Sequence, residues 1–388
     1  MTARLIVLAV LISIPTVTPA QAPLSQPSPA DSAAKAPKPP PPLDFSGILY
    51  ANYQYRGDRG PAKSANRFDV ERAYLTFRIP AGDRVSVRIT TDLFQQTTPG
   101  NDSYYRGWTV RAKYAYLQYN YLTGPDWRAN AKIGLLQTVF IEQDEVFWPR
   151  WISNSPTERA GYFSSADAGL ATTLSFPKKL GEIYATLTNG PGYTSRETDR
   201  FKDYAARVTV TPWSNNSASL LRTLALSAWG YKGATASKFV DGGAGQIGRI
   251  GDALARDRWG VHAGSATPRL TFGIQYASRR EEGETGNNTS LFPRAVIDST
   301  STLASGYALV RPFQARGTKP HPLSLLARYD RVTVNTDSDL RYDVVIGGLI
   351  WDLSSKASFS VDYQENNPVE GSPIASSKTW FAHFVARF

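Results

Sequence analysis

The sequence contains no cysteine and only three histidines, and its one methionine is the first residue. The lack of cysteine excludes disulfide bridges, cysteine-based metal sites and thiol nucleophiles. The histidines His262, His321 and His383 stand far apart in the sequence, which argues against a zinc site built from histidine. No Ser-His-Asp spacing, paired catalytic carboxylates or cluster of metal ligands stands out. We therefore predict a protein that is not an enzyme and that holds neither a metal nor a cofactor.

The sequence also has little that could cross a bilayer as a helix. An apolar stretch at 5–14 is too short for that, and it lies between Arg4 and small residues at 18–20. This order is typical of a secretory signal peptide that is later removed, so we predict a signal peptide at 1–20. A retained membrane anchor is the alternative. Proline, alanine and serine dominate 21–43, which predicts an exposed, proline-rich linker.

Positive charge exceeds negative charge, because 43 lysines and arginines stand against 33 acidic residues, for a formal net charge of +10. A basic protein can bind nucleic acid, a membrane surface or small anions, and secretion argues against nucleic acid. Aromatic residues make up 12% of the chain, with 20 tyrosines and 9 tryptophans. Both side chains combine an apolar ring with a polar tip and suit the interface between membrane and water.

Alternation of apolar and polar residues is the main pattern from residue 44 to the end. In "DRVSVRITTDL", Val85, Val87 and Ile89 alternate with polar residues, and this period of two is typical of a β-strand with one apolar face. We predict sixteen such strands, many of them longer than the five or six residues, roughly, of an ordinary globular strand. The predicted strands are 44–56, 66–79, 83–95, 109–120, 127–137, 168–176, 182–190, 202–212, 219–232, 257–265, 267–278, 301–311, 321–334, 339–352, 355–366 and 376–388.

Four features favour a membrane barrel over a β-sandwich. The strands are long enough for a tilted crossing, which needs about 9–11 residues. An even number of strands returns both termini to the same side, and the connections mostly alternate between short and long. The last strand, "KTWFAHFVARF", places Trp380, Phe384 and Phe388 on its apolar face, as expected of a strand that meets lipid and is recognised by outer-membrane assembly machinery.

We therefore predict that residues 44–388 form an all-β fold, a closed antiparallel transmembrane β-barrel of about sixteen strands. Short turns would lie on the periplasmic side and long loops on the extracellular side of a bacterial outer membrane. The alternative is a secreted β-sandwich, such as an adhesin, that happens to end in phenylalanine.

Four segments carry a diffuse hydrophobic signature: "RFDVERAYLTFRIPAGDRVSVRITTDL" at 67–93, "KYAYLQY" at 113–119, "AKIGLLQTVF" at 131–140 and "LTNGPGY…KDYAARVTVTPW" at 187–213. These segments resemble the N-terminal and middle regions of the phosphate-selective porin O/P family. The resemblance covers roughly 45–213 and continues beyond it only as a pattern. It implies a sixteen-stranded homotrimeric porin of the bacterial outer membrane with an anion-preferring pore.

The predicted function is accordingly passive diffusion of small hydrophilic solutes through an outer-membrane porin with a preference for anions, phosphate among them. Its partners would be outer-membrane lipid, small anions and further copies of the same chain, with no nucleic acid. The alternative is a β protein that forms no channel, either an adhesin or a barrel enzyme.

The polar face of each predicted strand would line the lumen, and there basic residues outnumber acidic ones by fourteen to seven. The basic positions are Arg56, Arg72, Arg78, Arg84, Arg88, Arg128, Lys132, Arg207, Arg258, Arg269, Arg328, Arg341, Lys356 and Arg387. The acidic positions are Asp44, Asp92, Glu182, Asp203, Asp330, Asp343 and Asp362. In "HPLSLLARYD" and "DLRYDVVIGG" the alternation is ambiguous, so the charged residues there could face either way.

A basic excess in the wall predicts that anions permeate better than cations. The Debye length of about 8 Å at physiological salt is comparable to the radius of a porin constriction, so wall charges are not fully screened at the pore axis. The alternative is that each basic residue pairs with a neighbouring acid and leaves no net field.

The third long connection is 138–167, and by the resemblance it is the constriction loop of a porin, folded into the lumen. Glu142, Asp144 and Glu145 would then face the arginine-bearing walls, with Arg150 in the same loop, and would weaken anion selectivity at the narrowest point. The alternative places this acidic cluster on the loop surface at the extracellular mouth.

Two short motifs are set aside. "GAGQIG" at 243–248 matches the G-x-G-x-x-G pattern, but no alternation of strand and helix surrounds it, so we do not interpret it as a nucleotide site. "NNTS" at 287–290 contains a glycosylation pattern, which a protein of a bacterial outer membrane would not use.

Overall fold

The computed structural model describes residues 43–58, 63–95, 107–237, 251–285, 295–313, 321–338, 340–372 and 374–388. Within them the chain forms sixteen β-strands, two four-residue α-helices and a 3-10 helix at Pro177–Lys179. The strands are β1 (Asp44–Arg56), β2 (Asn66–Pro80), β3 (Val85–Gln95), β4 (Trp108–Thr123), β5 (Arg128–Gln137), β6 (Ala166–Ser175), β7 (Gly181–Thr188), β8 (Asp203–Val210), β9 (Leu224–Ala236), β10 (Ala253–Ala266), β11 (Leu270–Thr285), β12 (Ala295–Val310), β13 (Leu323–Asn335), β14 (Leu340–Asp352), β15 (Ala357–Pro368) and β16 (Ser377–Arg387). The helices are α1 (Ile141–Asp144) and α2 (Pro156–Arg159). No helix in the described ranges is long and apolar enough to cross a membrane.

Some sequence predictions concern residues outside the described ones. These are the signal peptide at 1–20, the linker at 21–43 apart from Leu43, the glycine-rich motif at 243–248 and the glycosylation pattern at 287–290.

The sixteen strands of the described chain form one closed sheet. Each strand pairs antiparallel with the next one in the sequence, and β16 pairs with β1. Closure removes the free edges, which a sheet in hydrocarbon requires because no water is present to bond exposed backbone groups. The predicted fold class, a closed antiparallel barrel of sixteen strands, is confirmed. The clearest boundary error concerns the predicted strand 219–232, because 211–223 is an irregular connection and β9 starts only at Leu224.

The outer face of the barrel is apolar, as the alternation predicts. Ile133 on β5, Ile274 on β11 and Phe384 on β16 each expose half or more of their surface. The next residue after Ile274, Gln275, and the residue before Phe384, His383, are buried on the inner face. A sheet that exposes its apolar side chains and buries its polar ones is stable where lipid, and not water, surrounds it.

The two ends of the chain meet where the barrel closes. The backbone N–H of Gly47 donates to the carbonyl of Phe388 at 2.9 Å, and the N–H of Phe388 donates to the carbonyl of Gly47 at 3.0 Å. The ring of Phe388 lies 6.0 Å from that of Phe45, which lies 5.0 Å from that of Phe77. The terminal phenylalanine therefore belongs to an aromatic group on the outer face, at the end of the barrel that carries the short connections.

Gly134 on β5 provides a test of the barrel's packing. Its φ is +130°, and a Cβ added there would lie 2.3 Å from the carbonyl oxygen of Ala115 on β4. We expect Gly134→Ala to destabilise the barrel by about 1–3 kcal/mol, because a side chain there is both strained and blocked by backbone. The measurement is the temperature at which the folded band is lost in heat-modifiability electrophoresis. Gly347→Ala is the control, because a Cβ there meets nothing within 4 Å; equal melting of both variants would contradict the prediction.

Two of the β-bulges in the described wall carry a charged residue. On β2, Glu71 has no register partner on β1, and on β4, Lys113 has none on β3. A bulge adds one residue to a strand, so the residues on its two sides no longer follow a single period of two. Both charged residues line clefts of the lumen.

The connection 138–165, between β5 and β6, folds into the lumen. Phe140, Trp148 and Tyr162 are almost completely buried between this loop and the inner wall. The hydroxyl of Tyr162 donates to the carbonyls of Ala277 at 3.2 Å and Ser301 at 3.1 Å. Aromatic side chains of the loop therefore pack against the inner wall and fill part of the lumen. Clefts lined by polar residues lie beside this packed region.

Candidate functional site

Most arginines of the described lumen are neutralised by a nearby carboxylate. The ion pairs join Arg72 and Arg111 to Asp92, Arg88 to Glu142, Arg207 to Glu182, Arg258 to Glu281, and Arg328 to Asp330. Paired charges cancel most of each other's field beyond a few ångströms. A count of basic residues therefore overstates the net positive charge that a solute meets.

Three of the predicted lining residues lie at the rim with the short connections. Arg78, Arg128 and Arg387 are on the inner parity of β2, β5 and β16, close to the short-connection ends of these strands. Arg78 pairs with Asp44 at 3.3 Å. These residues can act on ions at the periplasmic entrance rather than in the middle of the lumen.

Three other basic residues that are predicted for the wall lie one residue outside the strands, at the rim. Arg84, Arg269 and Lys356 lie just before β3, β11 and β15, in the short connections, and are exposed. The predicted strands begin two or three residues too early, because a polar turn residue next to a strand has the same appearance as a polar strand residue.

Arg341 and Asp343 were predicted to line the lumen, and that assignment is also wrong. On β14 the buried inner residues include Val344 and Ile346, so Arg341 and Asp343 lie on the outer parity. Asp343 pairs there with Arg331 at 3.0 Å. The inner face of β14 is apolar because the aromatic loop packs in that part of the lumen, which makes the polarity rule misleading.

One cleft beside the loop, of about 170 Å³, contains an unpaired lysine. Lys113 is buried there, with its Nζ 4.2 Å from the centroid of the Tyr74 ring and 5.4 Å from that of Tyr114. Within the described residues no carboxylate forms an ion pair with this ammonium group. Aromatic faces attract a cation without removing its net charge, so the field of Lys113 extends into the cleft.

A second cleft, of about 380 Å³, repeats this arrangement. The Nζ of Lys132 lies 5.3 Å from the ring centroids of both Tyr116 and Tyr184, and no ion pair of Lys132 occurs in the part of the chain that the structure describes. Glu142 lines both clefts. The Lys113 cleft and the Lys132 cleft thus adjoin, and together they form a tyrosine-lined path with two lysines that form no ion pair among the described residues.

Sequence reasoning missed Lys113 because of the bulge in β4. Lys113 and Tyr114 are adjacent in the sequence, yet both are buried on the inner side. A period of two cannot place two neighbours on one face. One signal is present in the sequence. Lys113 and Tyr114 precede "AYLQY", in which Tyr116 already occupies the inner face, so Tyr114 shares that face and Lys113 is out of register.

The acidic cluster of the loop lies inside the lumen and not at the extracellular mouth. Glu142 pairs with Arg88 of the wall at 3.4 Å, as predicted for a loop acid that faces a basic wall. Glu145 instead pairs within the loop, with Arg150 at 2.6 Å, and Arg150 also binds Glu158. Their role at a constriction stays a prediction.

Asp144 faces the wall but forms no ion pair with an arginine among the described residues. Its carboxylate is completely buried and accepts hydrogen bonds from the hydroxyl of Tyr307 at 2.6 Å and from Nε2 of Gln275 at 3.1 Å. Nε2 of His262 lies 4.0 Å away. Burial raises the pKa of Asp144 to about 6, although the two hydrogen bonds oppose the shift. Asp144 therefore anchors the loop to β11 and β12.

The three aromatic residues predicted for the C-terminal assembly pattern lie on the outer face. Trp380, Phe384 and Phe388 expose 52%, 50% and 56% of their surface. Their recognition by assembly machinery stays a prediction. No group of three or more metal-ligating side chains occurs among the residues that the structure describes.

Comparison by sequence finds no matching family model and no matching characterised protein. Comparison of folds finds outer-membrane porins. OprB of Pseudomonas putida superposes with a TM-score of 0.60 and 9% identity, over 89% of this chain and 94% of that one. An anion-selective porin from Comamonas acidovorans gives 0.58 and 10%, over 89% and 99%. OmpT of Vibrio cholerae gives 0.56 and 12%, over 89% and 97%.

The chain therefore has the fold of outer-membrane porins. At these identities the likeness concerns the fold alone. The barrel and its apolar outer face support the predicted location in a bacterial outer membrane. The resemblance to the phosphate-selective porin O/P family in particular remains a prediction.

Proposed function

We propose that the chain is an outer-membrane porin through which small hydrophilic solutes diffuse passively, with a preference for anions. The observation that carries the proposal is the pair of lysines, Lys113 and Lys132, whose ammonium groups face tyrosine rings and form no ion pair within the described residues. An anion in the path between loop and wall meets this net positive charge, whereas the paired arginines attract and repel about equally.

The test is the ion selectivity of the purified protein in a planar lipid bilayer under a KCl gradient. We expect stepwise conductance and a reversal potential on the chloride side. A protein that inserts but shows no steps would contradict the channel, and a reversal potential on the potassium side would contradict the anion preference while leaving the channel in place.

Phosphate is the anion to which the resemblance of the N-terminal and middle regions points. We propose it as a permeant solute, and competition between phosphate and chloride in the same bilayer is the direct test. A saturable reduction of the chloride current by phosphate supports a preference for phosphate. A reduction no larger than the one that sulfate causes contradicts that preference.

We also propose that three copies of the chain assemble in the membrane, as the resemblance implies. One solved form of the structurally similar V. cholerae OmpT is a trimer. The proposed export route begins with removal of the signal peptide at 1–20, which leaves the proline-rich segment at the new amino terminus. Cross-linking of the detergent-purified protein and its N-terminal sequence test these two statements.

A further inference from the structure

A third polar cleft lies beside the loop, in the half of the lumen that leads to the long connections. Its volume is about 310 Å³, within the range of small-molecule sites. Strands β1, β2, β15 and β16 form its wall, and the loop residues around Ile152 close it. Its lining is rich in amide side chains: Asn52, Gln54, Asn154 and Gln364. We call it the amide cleft.

The amide cleft is lined mainly by neutral side chains, with one acidic and one basic residue among them. Its one lining carboxylate, Glu71, accepts a hydrogen bond from Nδ2 of Asn52 at 3.4 Å. Its one guanidinium, Arg159, donates to Oγ of Ser153 at 2.8 Å and to Oε1 of Gln364 at 3.2 Å. The lining therefore holds one acidic and one basic side chain, with no excess of either formal charge.

Hydrogen-bonding capacity is left unused in the cleft. Gln54 donates from Nε2 to Oδ1 of Asn52 at 3.0 Å, but its Oε1 accepts no hydrogen bond from any described residue. The side-chain amide of Asn154 makes no hydrogen bond at all within the described chain. An amide offers both donors and an acceptor, which is what a hydroxyl group, itself donor and acceptor, requires of its partner.

An aromatic surface accompanies these amides. Phe381 of β16 is half-buried on the inner face, and its ring stacks on that of His383 at 4.8 Å between centroids. Both rings line the cleft. The negative face of an aromatic ring attracts weakly positive C–H groups, so the cleft combines an apolar platform with neutral donors and acceptors.

We propose that the amide cleft binds a neutral polyhydroxylated solute, of the size of a monosaccharide unit, during its passage through the lumen. Ring hydroxyls bond to Gln54 and Asn154, and a C–H face of the solute lies against Phe381. The inference rests on the proposed channel function only in that solutes reach the cleft through the lumen; it adds a second class of solute that the lysines do not recognise.

The first test is block of the ion current by D-glucose in a planar bilayer with equal KCl on both sides. We expect saturable block of the wild-type channel. Phe381→Ala should raise the half-blocking concentration about fivefold, by loss of the aromatic contact, and Asn154→Ala about threefold, by loss of a hydrogen bond. An ethylene-glycol oligomer of similar mass, which lacks the ring hydroxyls, should reduce the current without saturation.

Two control variants test whether glucose block depends on the amide cleft and not on other parts of the barrel. Phe384→Ala alters a lipid-facing ring on the same strand and should leave glucose block unchanged. Lys113→Gln changes the anion path and should also leave glucose block unchanged. Glucose block that does not saturate, or that persists in Phe381→Ala at the wild-type concentration, would overturn the proposal while the channel function stands.

A second measurement does not depend on conductance. The ring of Trp151 lies 6.2 Å from that of His383, beside the cleft. Titration of the folded protein in detergent with D-glucose should change the tryptophan fluorescence saturably. The glucose concentration that gives half of the change should be higher in Asn154→Ala. A flat titration in folded protein rejects the site even if no channel forms, whereas a saturable one supports it.

Discussion

Lys113→Gln is expected to lower the ratio of anion to cation permeability roughly tenfold. Removing one unit charge about 4 Å from a passing ion changes its energy by about 1 kcal/mol even at the dielectric constant of water. An anion loses this attraction and a cation loses the corresponding repulsion, so the ratio changes by the product of both factors, less the part that salt screens. The arginines cannot replace the lost charge, because their carboxylate partners remain in place.

The measurement is the reversal potential under a KCl gradient at two salt concentrations. The effect should be larger at low salt, where the Debye length is longer. Lys232→Gln is the matched control, because the side chain of Lys232 is exposed on the outer parity and lies 3.9 Å from Asp257. An unchanged reversal potential in folded Lys113→Gln, or the same shift in Lys232→Gln, would show that selectivity does not arise in the Lys113 cleft.

Lys132→Gln tests the second half of the path. We expect a reduction of the same sign, and the double variant with Lys113→Gln should lose most of the anion preference. If the double variant kept it, the basic residues of the rim, such as Arg78 and Arg128, would have to supply the field.

Lowering the pH is expected to stabilise the position of the loop against the wall. The substitution Asp144→Asn is expected to abolish this pH dependence. The carboxyl group of Asp144 has a pKa of about 6 in its buried site, against an ordinary value of 3.8. The seated loop therefore binds the proton more tightly than a released loop, in which the group meets water. Seating is favoured as pH falls through 6, and the gain ends below 3.8.

The magnitude follows from the same linkage. Between pH 7 and pH 5 the seated state gains about 1.4 kcal/mol, which is a tenfold change in the ratio of released to seated loop. We expect conductance substates that come from loop release to become about ten times rarer over this interval. The measurement is the fraction of time spent in such substates in single-channel records.

Asparagine fits the site without a charge. In Asp144→Asn, Oδ1 can accept from the hydroxyl of Tyr307. A flip of the Gln275 amide, whose Oε1 has no partner among the described residues, then lets Nδ2 donate to that oxygen. The substate fraction should then be low and constant from pH 7 to pH 5.

The control variant comes from the other charged and titratable groups that lie near Asp144. Tyr307 of β12 and His262 of β10 are the other titratable groups near the carboxylate, and Arg328 and Asp330 of β13 face the same part of the loop. His262→Gln should keep the pH dependence of the wild type. A pH dependence that disappears in His262→Gln and survives in Asp144→Asn would assign the effect to the histidine.

Local alternation in the sequence is sufficient to predict the barrel. The period of two in segments such as 83–95 and 376–388 specifies which side chains share a face, and a face that is apolar in every strand requires lipid around it. The strand number, the outward position of Phe384 and Phe388 and the inward position of Arg88 follow from this rule, because each depends only on neighbours along the chain.

The same rule fails wherever the environment of the inner wall is not uniform. Arg341 was misplaced because the aromatic loop makes the inner face of β14 apolar. Lys113 and Glu71 were missed because each occupies a bulge, where one extra residue shifts the alternation. Neither a bulge nor a loop contact leaves a periodic trace in the sequence.

The sequence by itself determined that this protein is a closed barrel with lipid outside and charge inside. Only the tertiary structure decided which of those charges remain uncompensated. Neutralisation is a matter of distances between side chains that belong to different strands or to the loop. Arg88 meets Glu142, 54 residues away, while Lys113 meets tyrosine rings and forms no ion pair in the described lumen. Coulomb energies depend on such distances in space, and alternation along a chain carries no information about them.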